Sequence, residues 1–145
     1  MLSIARKMLK ENNLCVLATC HDNLSNSSLM QYIYDDDSMS IFMLTLSGSV
    51  KHENIIANPK VSLLIDNRLD VQQGRLPIMA LTVYGESMIV SDPGKERELI
   101  DRLVDTNSNL AGLANDSRCL VIETKIQKLL LLDNVNDKSL LEISN

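Results

Sequence analysis

Three hydroxyl side chains, a glycine and a lysine lie close together in one short segment of the chain. The segment reads TLSGSVK over residues 45–51, where a strand-like pattern changes into a helical one. The first turn of a helix has backbone N–H groups without intrahelical partners, so it attracts anions. Gly48 allows a close approach of the backbone, and Lys51 adds a full positive charge. This chemistry suits a phosphate monoester.

The same segment also has a purely structural interpretation. Serine is a common N-cap, so Ser47 or Ser49 would then only begin a helix, and Lys51 would be a solvated side chain. The segment matches neither a Walker phosphate loop nor a GxGxxG motif. From the local residues alone, both interpretations stay open.

The cysteines and histidines predict neither a metal site nor a cysteine nucleophile. The chain has three cysteines and two histidines, with no CxxC pair and no ligand-spaced histidine. Cys20 precedes His21, but neighbours on a strand point to opposite faces. We therefore interpret Cys15, Cys20 and Cys119 as buried structural thiols. An odd number of unpaired cysteines is typical of a reduced, cytoplasmic protein.

Three other polar features have both a functional and a structural interpretation. The consecutive carboxylates of Asp35–Asp37 diverge, which predicts a solvated turn rather than a cation site. Gln72, Gln73 and Arg75 lie in a long predicted loop that either contacts a substrate or is simply exposed. His52, on the surface of a predicted helix, is either a haem ligand or a solvated side chain.

The hydrophobic pattern predicts a barrel of antiparallel strands with a few helices around it. Helices are expected over Leu2–Asn12, Val50–Asn58 and Asp92–Val104. Strands are expected over Leu14–Thr19, Ser25–Tyr34, Met39–Leu44, Val61–Ile65, Ile78–Val90, Cys119–Leu132 and Leu140–Ile143, with a loop over Asn67–Pro77 and a small turn over Leu110–Ala114. Gly85, inside the fifth of these strands, predicts a bulge or a close approach. The order of elements favours a mostly antiparallel barrel over a parallel α/β sheet.

Length and charge limit the function classes that remain. The chain has 145 residues, 45% of them hydrophobic, and a net charge of −5. We expect one globular domain over residues 1–145. An acidic chain without a basic run predicts no nucleic-acid partner. Apolar runs shorter than about 18 residues predict no membrane span.

Several motifs in a fixed order resemble the FMN-binding split-barrel family, which includes pyridoxamine-phosphate oxidases and small flavoproteins. The motifs are LATC at residues 17–20, IFMLT at 41–45, SVKHENIIANPKV at 49–61 and LTVYGE at 81–86. The pattern K-x-x-N-I-x-x-N-P-x-V within the third is the most specific. The resemblance covers about Leu2–Leu132 and implies a mostly β split barrel of six to seven mainly antiparallel strands. Its connections would be Greek-key-like, with two or three peripheral helices.

The resemblance also implies a cofactor and the residues that hold it. Lys51 matches the family's basic phosphate ligand, and the hydroxyl-rich turn beside it matches Thr45, Ser47 and Ser49. The backbone N–H groups of Ser49 and Val50 are expected beside the phosphate. The strand whose main chain runs along the flavin ring matches Ser27, Ser28, Leu29 and Met30. In this family FMN lies at a homodimer interface.

The chain departs from the family's oxidases at three places. An arginine is usual near Asn26–Ser28, and this chain has none there. The strand glutamine that lies next to the flavin corresponds to Ala80. The C-terminal tryptophan and arginine motif of true pyridoxamine-phosphate oxidases is missing, which disfavours oxidation of a vitamin phosphate.

These observations predict an FMN-dependent oxidoreductase that takes electrons from a small-molecule donor. The bound flavin would perform the chemistry, so no catalytic side chain is assigned. The alternative is a non-catalytic FMN or haem binding protein that transfers electrons or stores a cofactor. The small residues Ala80, Ser27 and Ser28 would leave room for a planar donor beside the flavin.

Overall fold

The computed structural model describes residues 2–74, 77–134 and 137–143, which form one antiparallel sheet with helices around it. The strands are β1 (Leu14–His21), β2 (Leu24–Gln31), β3 (Ile33–Asp35), β4 (Ser40–Leu46), β5 (Lys60–Asp66), β6 (Met79–Ile89), β7 (Cys119–Asp133) and β8 (Asp137–Glu142). The helices are α1 (Leu2–Glu11), α2 (Val50–Ala57), α3 (Arg68–Gln72), α4 (Pro93–Thr106) and α5 (Ala111–Ala114), with a single 3₁₀ turn at Ser108–Leu110.

The strand order is β2-β1-β5-β6-β7-β4-β3, and every pair is antiparallel. The long strand β7 pairs with β6 along one edge. Along its other edge it pairs first with β4 and then with β8. The sheet curls into a half-barrel, which confirms the mostly β split-barrel prediction. The described residues form eight strands and five helices, against the six to seven strands and two or three helices expected.

The barrel interior is filled by aliphatic side chains, because the chain is poor in aromatic residues. Leu17, Met43 and Leu81 are among its fully buried members. Helix α1 packs against this interior through Ala5, Met8 and Leu9. Burial of such side chains supplies the main driving force for folding.

A second apolar cluster forms where α4 packs on the outer side of β4 and β7. Leu99 and Leu103 of α4 are buried there with Phe42 and Val121. Strand β4 is consequently buried on both faces from Ser40 to Thr45. Helix α4 begins at Pro93, and the Asp92 side chain accepts a hydrogen bond from the Lys95 N–H at 2.8 Å.

Gly85 lies at a bulge in β6, as the sequence predicted. The β6–β7 register shifts between Tyr84 and Gly85. A Cβ atom at Gly85 would collide with the carbonyl oxygen of Lys125. The two backbones therefore approach more closely than any other residue would permit.

Three local predictions were wrong. Ser25–Tyr34 is two strands, because the chain turns inward at Tyr32, whose buried hydroxyl donates to the Leu9 carbonyl at 2.8 Å.

The predicted loop Asn67–Pro77 contains α3, and the Asp66 side chain accepts a hydrogen bond of 2.9 Å from the Arg68 N–H at the start of this helix. Short helical turns replace the small turn at Leu110–Ala114. Arg75 lies outside the described residues.

None of the described helices is both long and apolar enough to cross a membrane.

Candidate functional site

The junction between β4 and α2 brings two of the predicted hydroxyl groups together. Thr45 is buried at the end of β4, and its Oγ1 shares a hydrogen bond of 2.8 Å with Ser49 Oγ. Ser49 is the N-cap of α2, and its side chain accepts from the His52 N–H at 3.3 Å. Of the two candidate caps, Ser49 is therefore the one used, and its hydroxyl points into the first turn.

Ser47 lies outside this hydroxyl pair. Its side chain is exposed, and its N–H donates to the carbonyl of Arg118 at 2.8 Å. Gly48 follows with φ of +84°, a left-handed conformation that favours glycine. The backbone thus turns sharply between the strand and the helix.

The first turn of α2 presents positive charge and N–H groups together. The first intrahelical bond runs from the Glu53 N–H to the Ser49 carbonyl at 3.0 Å, so the amides of Val50 and Lys51 precede it. The Ser49 N–H, which was expected beside the phosphate together with that of Val50, instead donates to the Leu46 carbonyl at 3.1 Å. Val50 is exposed, and the half-buried Lys51 forms no ion pair with any described residue. An anion at this point would meet backbone donors and a lysine that no described carboxylate pairs with.

His52 also belongs to this junction, although the sequence pattern predicted only a position on the helix surface. Its Nδ1 accepts a hydrogen bond from the Gly48 N–H at 3.0 Å. The available signal was its position three residues after the Ser49 cap, from which a side chain can reach back to the preceding turn.

Two asparagines attach α2 to β1. Asn54 Nδ2 donates to Thr19 Oγ1, and Asn58 Nδ2 donates to the Cys20 carbonyl, both at 3.0 Å. These bonds hold α2 in a set position relative to the sheet.

Strand β2 carries the other predicted cofactor residues, and they divide between its two faces. Ser27 and Leu29 are exposed on one face, whereas Met30 is buried and Ser28 half-buried on the other. Among the described strands β2 pairs only with β1, so its second edge leaves main-chain N–H and C=O groups unpaired. Helix α2, which begins at the β4–α2 junction, also contacts β2.

Ala80 is not brought next to Ser27 and Ser28 within one chain. It lies on β6, and both β1 and β5 separate that strand from β2. Three inter-strand steps amount to roughly 14 Å. Ala80 is therefore not adjacent to Ser27 and Ser28 within one chain, and the expected room for a planar donor beside a flavin at a dimer interface stays a prediction.

The other titratable candidates have structural partners. Asp36 accepts from the Tyr34 hydroxyl at 2.7 Å and lies 3.2 Å from Lys10 Nζ, and these contacts lower its pKa. Burial raises the pKa of the Cys15 thiol to about 12. Cys119 is also buried, but Cys20 is only half-buried, contrary to expectation. Across residues 2–74, 77–134 and 137–143, no three metal-binding side chains cluster together.

A cavity of about 810 Å³ lies away from this junction, where α1 and α3 approach β1 and β5. We call it the α1–α3 cavity. Leu29 is the only predicted cofactor residue that lines it.

Comparison with known proteins relates this architecture to solved structures. General stress protein 26 from Bacillus anthracis aligns over 98% of each chain, with a TM-score of 0.75 and 20% identity. An FAD-binding protein from Mesorhizobium loti aligns over 90% of this chain and 93% of its own, with a TM-score of 0.73 and 17% identity. HutZ, a haem storage protein from Vibrio cholerae, aligns over 97% and 92%, with a TM-score of 0.72 and 14% identity. At these identities the likeness concerns the fold.

No curated protein is significantly similar to the chain in sequence. The sequence pattern of the pyridoxamine 5'-phosphate oxidase family, however, matches residues 3–131. The chain therefore belongs to the pyridoxamine 5'-phosphate oxidase family.

Proposed function

We propose that this protein is an FMN-binding flavoprotein that acts as an oxidoreductase on a small-molecule electron donor. One observation carries the proposal: a hydrogen-bonded Thr45–Ser49 pair adjoins the first turn of α2, beside a lysine without an ionic partner among the described residues. In a chain of this family, that arrangement suits the phosphate of FMN.

The residues at the junction fit a phosphate in charge and in hydrogen-bonding capacity. The N–H groups of Val50 and Lys51 offer donors, and the Lys51 ammonium offers a charge-assisted hydrogen bond. The hydroxyls of Ser47 and Ser49 add donors at the rim. The missing arginine near Asn26–Ser28 leaves Lys51 as the main cationic ligand in this proposal.

The unpaired edge of β2 supports the remainder of the cofactor site. Main-chain N–H and C=O groups at Ser27, Ser28, Leu29 and Met30 would hydrogen-bond the pyrimidine edge of the ring. When bound, FMN would supply the group that accepts and releases electrons. This chain's own residues would bind and orient it, and no side chain is required as an acid or a base.

A homodimer with the cofactor at its interface is part of the proposal. A mainly apolar row crosses the outer face of six strands. Each member lies opposite the next on the neighbouring strand, in the order Leu29, Val16, Leu64, Thr82, Leu130 and Leu140. Leu29 and Leu140 are 72% and 56% exposed. In this row Leu64 is also exposed, and Val16 and Leu130 are half-buried. Such a mainly apolar surface favours cover by a second copy.

A cytoplasmic location is also part of the proposal, because three free cysteines suit a reducing compartment.

Haem binding is the second candidate, because HutZ and a haem binding protein from Mycobacterium smegmatis share the fold. The geometry of His52 disfavours it as the haem ligand. Its Nδ1 accepts a hydrogen bond, so the neutral ring carries its proton on Nε2. Protonated Nε2 has no lone pair for iron. The hydrogen bond from Gly48 to Nδ1 must therefore break before either ring nitrogen can bind haem iron.

The visible absorption spectrum of the protein purified with added FMN tests the proposal. We expect flavin bands that stay with the protein through gel filtration and bleach when NADH or NADPH is added. Flavin that is retained but inert to every donor would favour the non-catalytic binder. A protein that elutes without flavin and shows a Soret band with haem would overturn the proposal.

A further inference from the structure

The α1–α3 cavity shares part of its wall with the sheet face that the proposed dimer covers. Leu29, Val16 and Leu64 line the cavity. In the apolar row of the outer face, Leu29 lies opposite Val16, and Val16 lies opposite Leu64. A second copy that covers this row therefore also covers this wall. The cavity then becomes a chamber at the dimer interface, where the proposed function also places the cofactor.

The same cavity connects two features that were predicted beside the flavin. Leu29 belongs to the strand expected to run along the flavin ring. Met79 lines the cavity on β6 and directly precedes Ala80, where a small side chain is expected to leave room for a planar donor. The cavity volume of about 810 Å³ lies within the range of about 300–1,000 Å³ that is usual for small-molecule sites. An aromatic donor can therefore be held between these two features.

Both helices add apolar side chains to the other walls of the cavity. Ile4 and Met8 of α1 and Leu69 of α3 line it, together with Leu14 at the start of β1. Aliphatic walls gain free energy from contact with an apolar ring, whereas a charged group that leaves water for such walls loses its hydration. These walls favour a donor that is aromatic and uncharged.

The charged residues of the cavity disfavour an anion. The described lining contains four acidic residues and two basic ones, namely Glu11, Asp66, Asp70, Asp133, Lys7 and Arg68. Arg68 Nη2 lies 2.6 Å from Asp66 Oδ2, and Lys7 Nζ lies 3.9 Å from Glu11 Oε1. Each basic group in the described lining is therefore already beside a carboxylate, and acidic groups remain in excess.

We infer that the α1–α3 cavity, closed by the second copy, is the electron-donor pocket, and that it takes an uncharged or cationic aromatic donor rather than a phosphorylated or sulfonated one. The inference rests on the proposed function, because it needs both the dimer and bound FMN. The excess of carboxylates also favours a donor that becomes positive when it is oxidised. A dihydronicotinamide ring is such a donor: it gives a hydride ion, which carries two electrons, to FMN and leaves as the pyridinium cation.

Two naphthalenes test the charge preference without any turnover. 2-Naphthol is uncharged at neutral pH, and naphthalene-2-sulfonate carries a sulfonate at the same carbon. We expect 2-naphthol to perturb the visible absorption of protein-bound FMN saturably, at one site per chain. Its dissociation constant should be about tenfold lower than that of the sulfonate, measured by competition. Equal dissociation constants, or no perturbation of bound FMN by 2-naphthol, would overturn the inference.

Paired variants locate the pocket. Leu69→Ser should raise the dissociation constant of 2-naphthol about fivefold. Ile56→Ser, on α2 outside the cavity, should have no effect, although its side chain is 67% exposed against 66% for Leu69. Equal effects of the two substitutions would contradict the assignment.

A second pair tests the charge of the lining. Glu11→Lys should tighten binding of the sulfonate about threefold. Asp101→Lys makes the same change of charge on α4, where Asp101 also lies four residues after a basic partner, Arg97. This control should change the affinity of neither naphthalene. An equal gain from both variants would show that only the total charge matters and would contradict an acidic pocket.

A third pair tests closure by the second copy. Leu140 belongs to the apolar row but does not line the cavity. In a monomeric Leu140→Glu variant, 2-naphthol, followed by its own fluorescence, should bind at least tenfold more weakly than in the wild type. Leu24→Glu, which introduces the same charge at the β1–β2 hairpin, should bind it normally. Unchanged binding by the Leu140→Glu monomer would show that the partner forms no wall of the pocket.

Reduction of the bound flavin by three donors completes the test. N-benzyl-1,4-dihydronicotinamide is uncharged, whereas NADH and NADPH carry phosphates that must stay outside the acidic lining. We expect the uncharged donor to have a KM about tenfold lower than that of NADH, and NADPH to have the highest KM. The reverse order would contradict the donor class. A protein that takes up no FMN would refute the proposed function, whereas FMN that binds but does not respond to 2-naphthol would refute this inference alone.

Discussion

The imidazole of His52 accepts a hydrogen bond at Nδ1 from the backbone N–H of Gly48, over 3.0 Å. Through this bond a residue in the first turn of α2 closes the left-handed turn that precedes the helix. The orientation of the helix N-terminus therefore depends on a side chain that need not contact an anion itself.

Replacing His52 should weaken FMN binding by loosening that turn. A neutral hydrogen bond contributes about 1 kcal/mol, so His52→Ala should raise the dissociation constant for FMN about three- to tenfold. His52→Gln, whose side-chain oxygen can accept the same N–H, should restore most of the affinity. Fluorescence titration measures both. If the alanine variant binds FMN like the wild type, the turn does not position the site.

Lys51→Ala should remove one charge-assisted hydrogen bond to the FMN phosphate. Such a bond is worth about 1.5–3 kcal/mol, so the dissociation constant should rise roughly ten- to a hundredfold. Riboflavin lacks the phosphate and should bind both proteins equally, and added salt should weaken FMN more than riboflavin. Lys60→Ala, which removes an exposed lysine at the start of β5, is the control. An unchanged FMN affinity in the Lys51→Ala variant would mean that Lys51 is only a solvated side chain on the helix surface.

Gly85→Ala should destabilise the barrel, because the new methyl group would meet the backbone of Lys125. Forcing extra volume into such a contact costs about 1–3 kcal/mol, seen as a lower urea midpoint. Gly112→Ala is the matched control, since a Cβ atom there meets nothing within 4 Å. That substitution should be neutral or slightly stabilising. Equal midpoints for both variants would mean that the β6–β7 approach relaxes freely.

Acid should destabilise the segment Asp116–Arg118, which holds Ser47 through a backbone hydrogen bond. Hydrogen bonds from Arg118 lower the pKa of Asp116 from 3.8 to about 2, and the Arg118 carbonyl accepts the Ser47 N–H. Because the folded-state pKa is depressed, this stabilisation is complete above about pH 4 and is lost as the pH falls toward about 2. Asp116→Asn should therefore be less stable than the wild type at neutral pH, with the difference closing over that interval. Urea unfolding at several pH values measures it, and a difference that stays constant with pH would exclude this carboxylate as the cause.

The apolar row on the outer sheet face should join two copies of the chain. We expect the protein to sediment as a dimer at micromolar concentration with FMN present. Leu140→Glu should shift it toward the monomer by placing a charge in that row. Leu24→Glu changes an even more exposed leucine at the β1–β2 hairpin and should leave the dimer intact. A wild-type monomer under these conditions would refute the dimer and the shared cofactor site together.

Features that depend on neighbouring residues were predictable from the sequence. The start of α4 at Pro93, the end of α2 before Pro59 and the bulge at Gly85 all follow from restricted backbone conformations. The hydroxyl-rich segment at residues 45–51 was identified in the same way, because N-capping and helix N-terminal charge are local properties. The order of the motifs along the whole chain also indicated the family whose sequence pattern residues 3–131 match.

Features that depend on distant parts of the chain were decided only by the tertiary structure. Tyr32 interrupts the predicted strand because its hydroxyl finds the Leu9 carbonyl, which no local pattern encodes. Ala80 lies three strands from β2 because β1 and β5 pair between them. The α1–α3 cavity likewise exists only where α1 and α3 meet the same sheet. Periodicity specifies which face of an element is apolar, but packing decides which other face it meets.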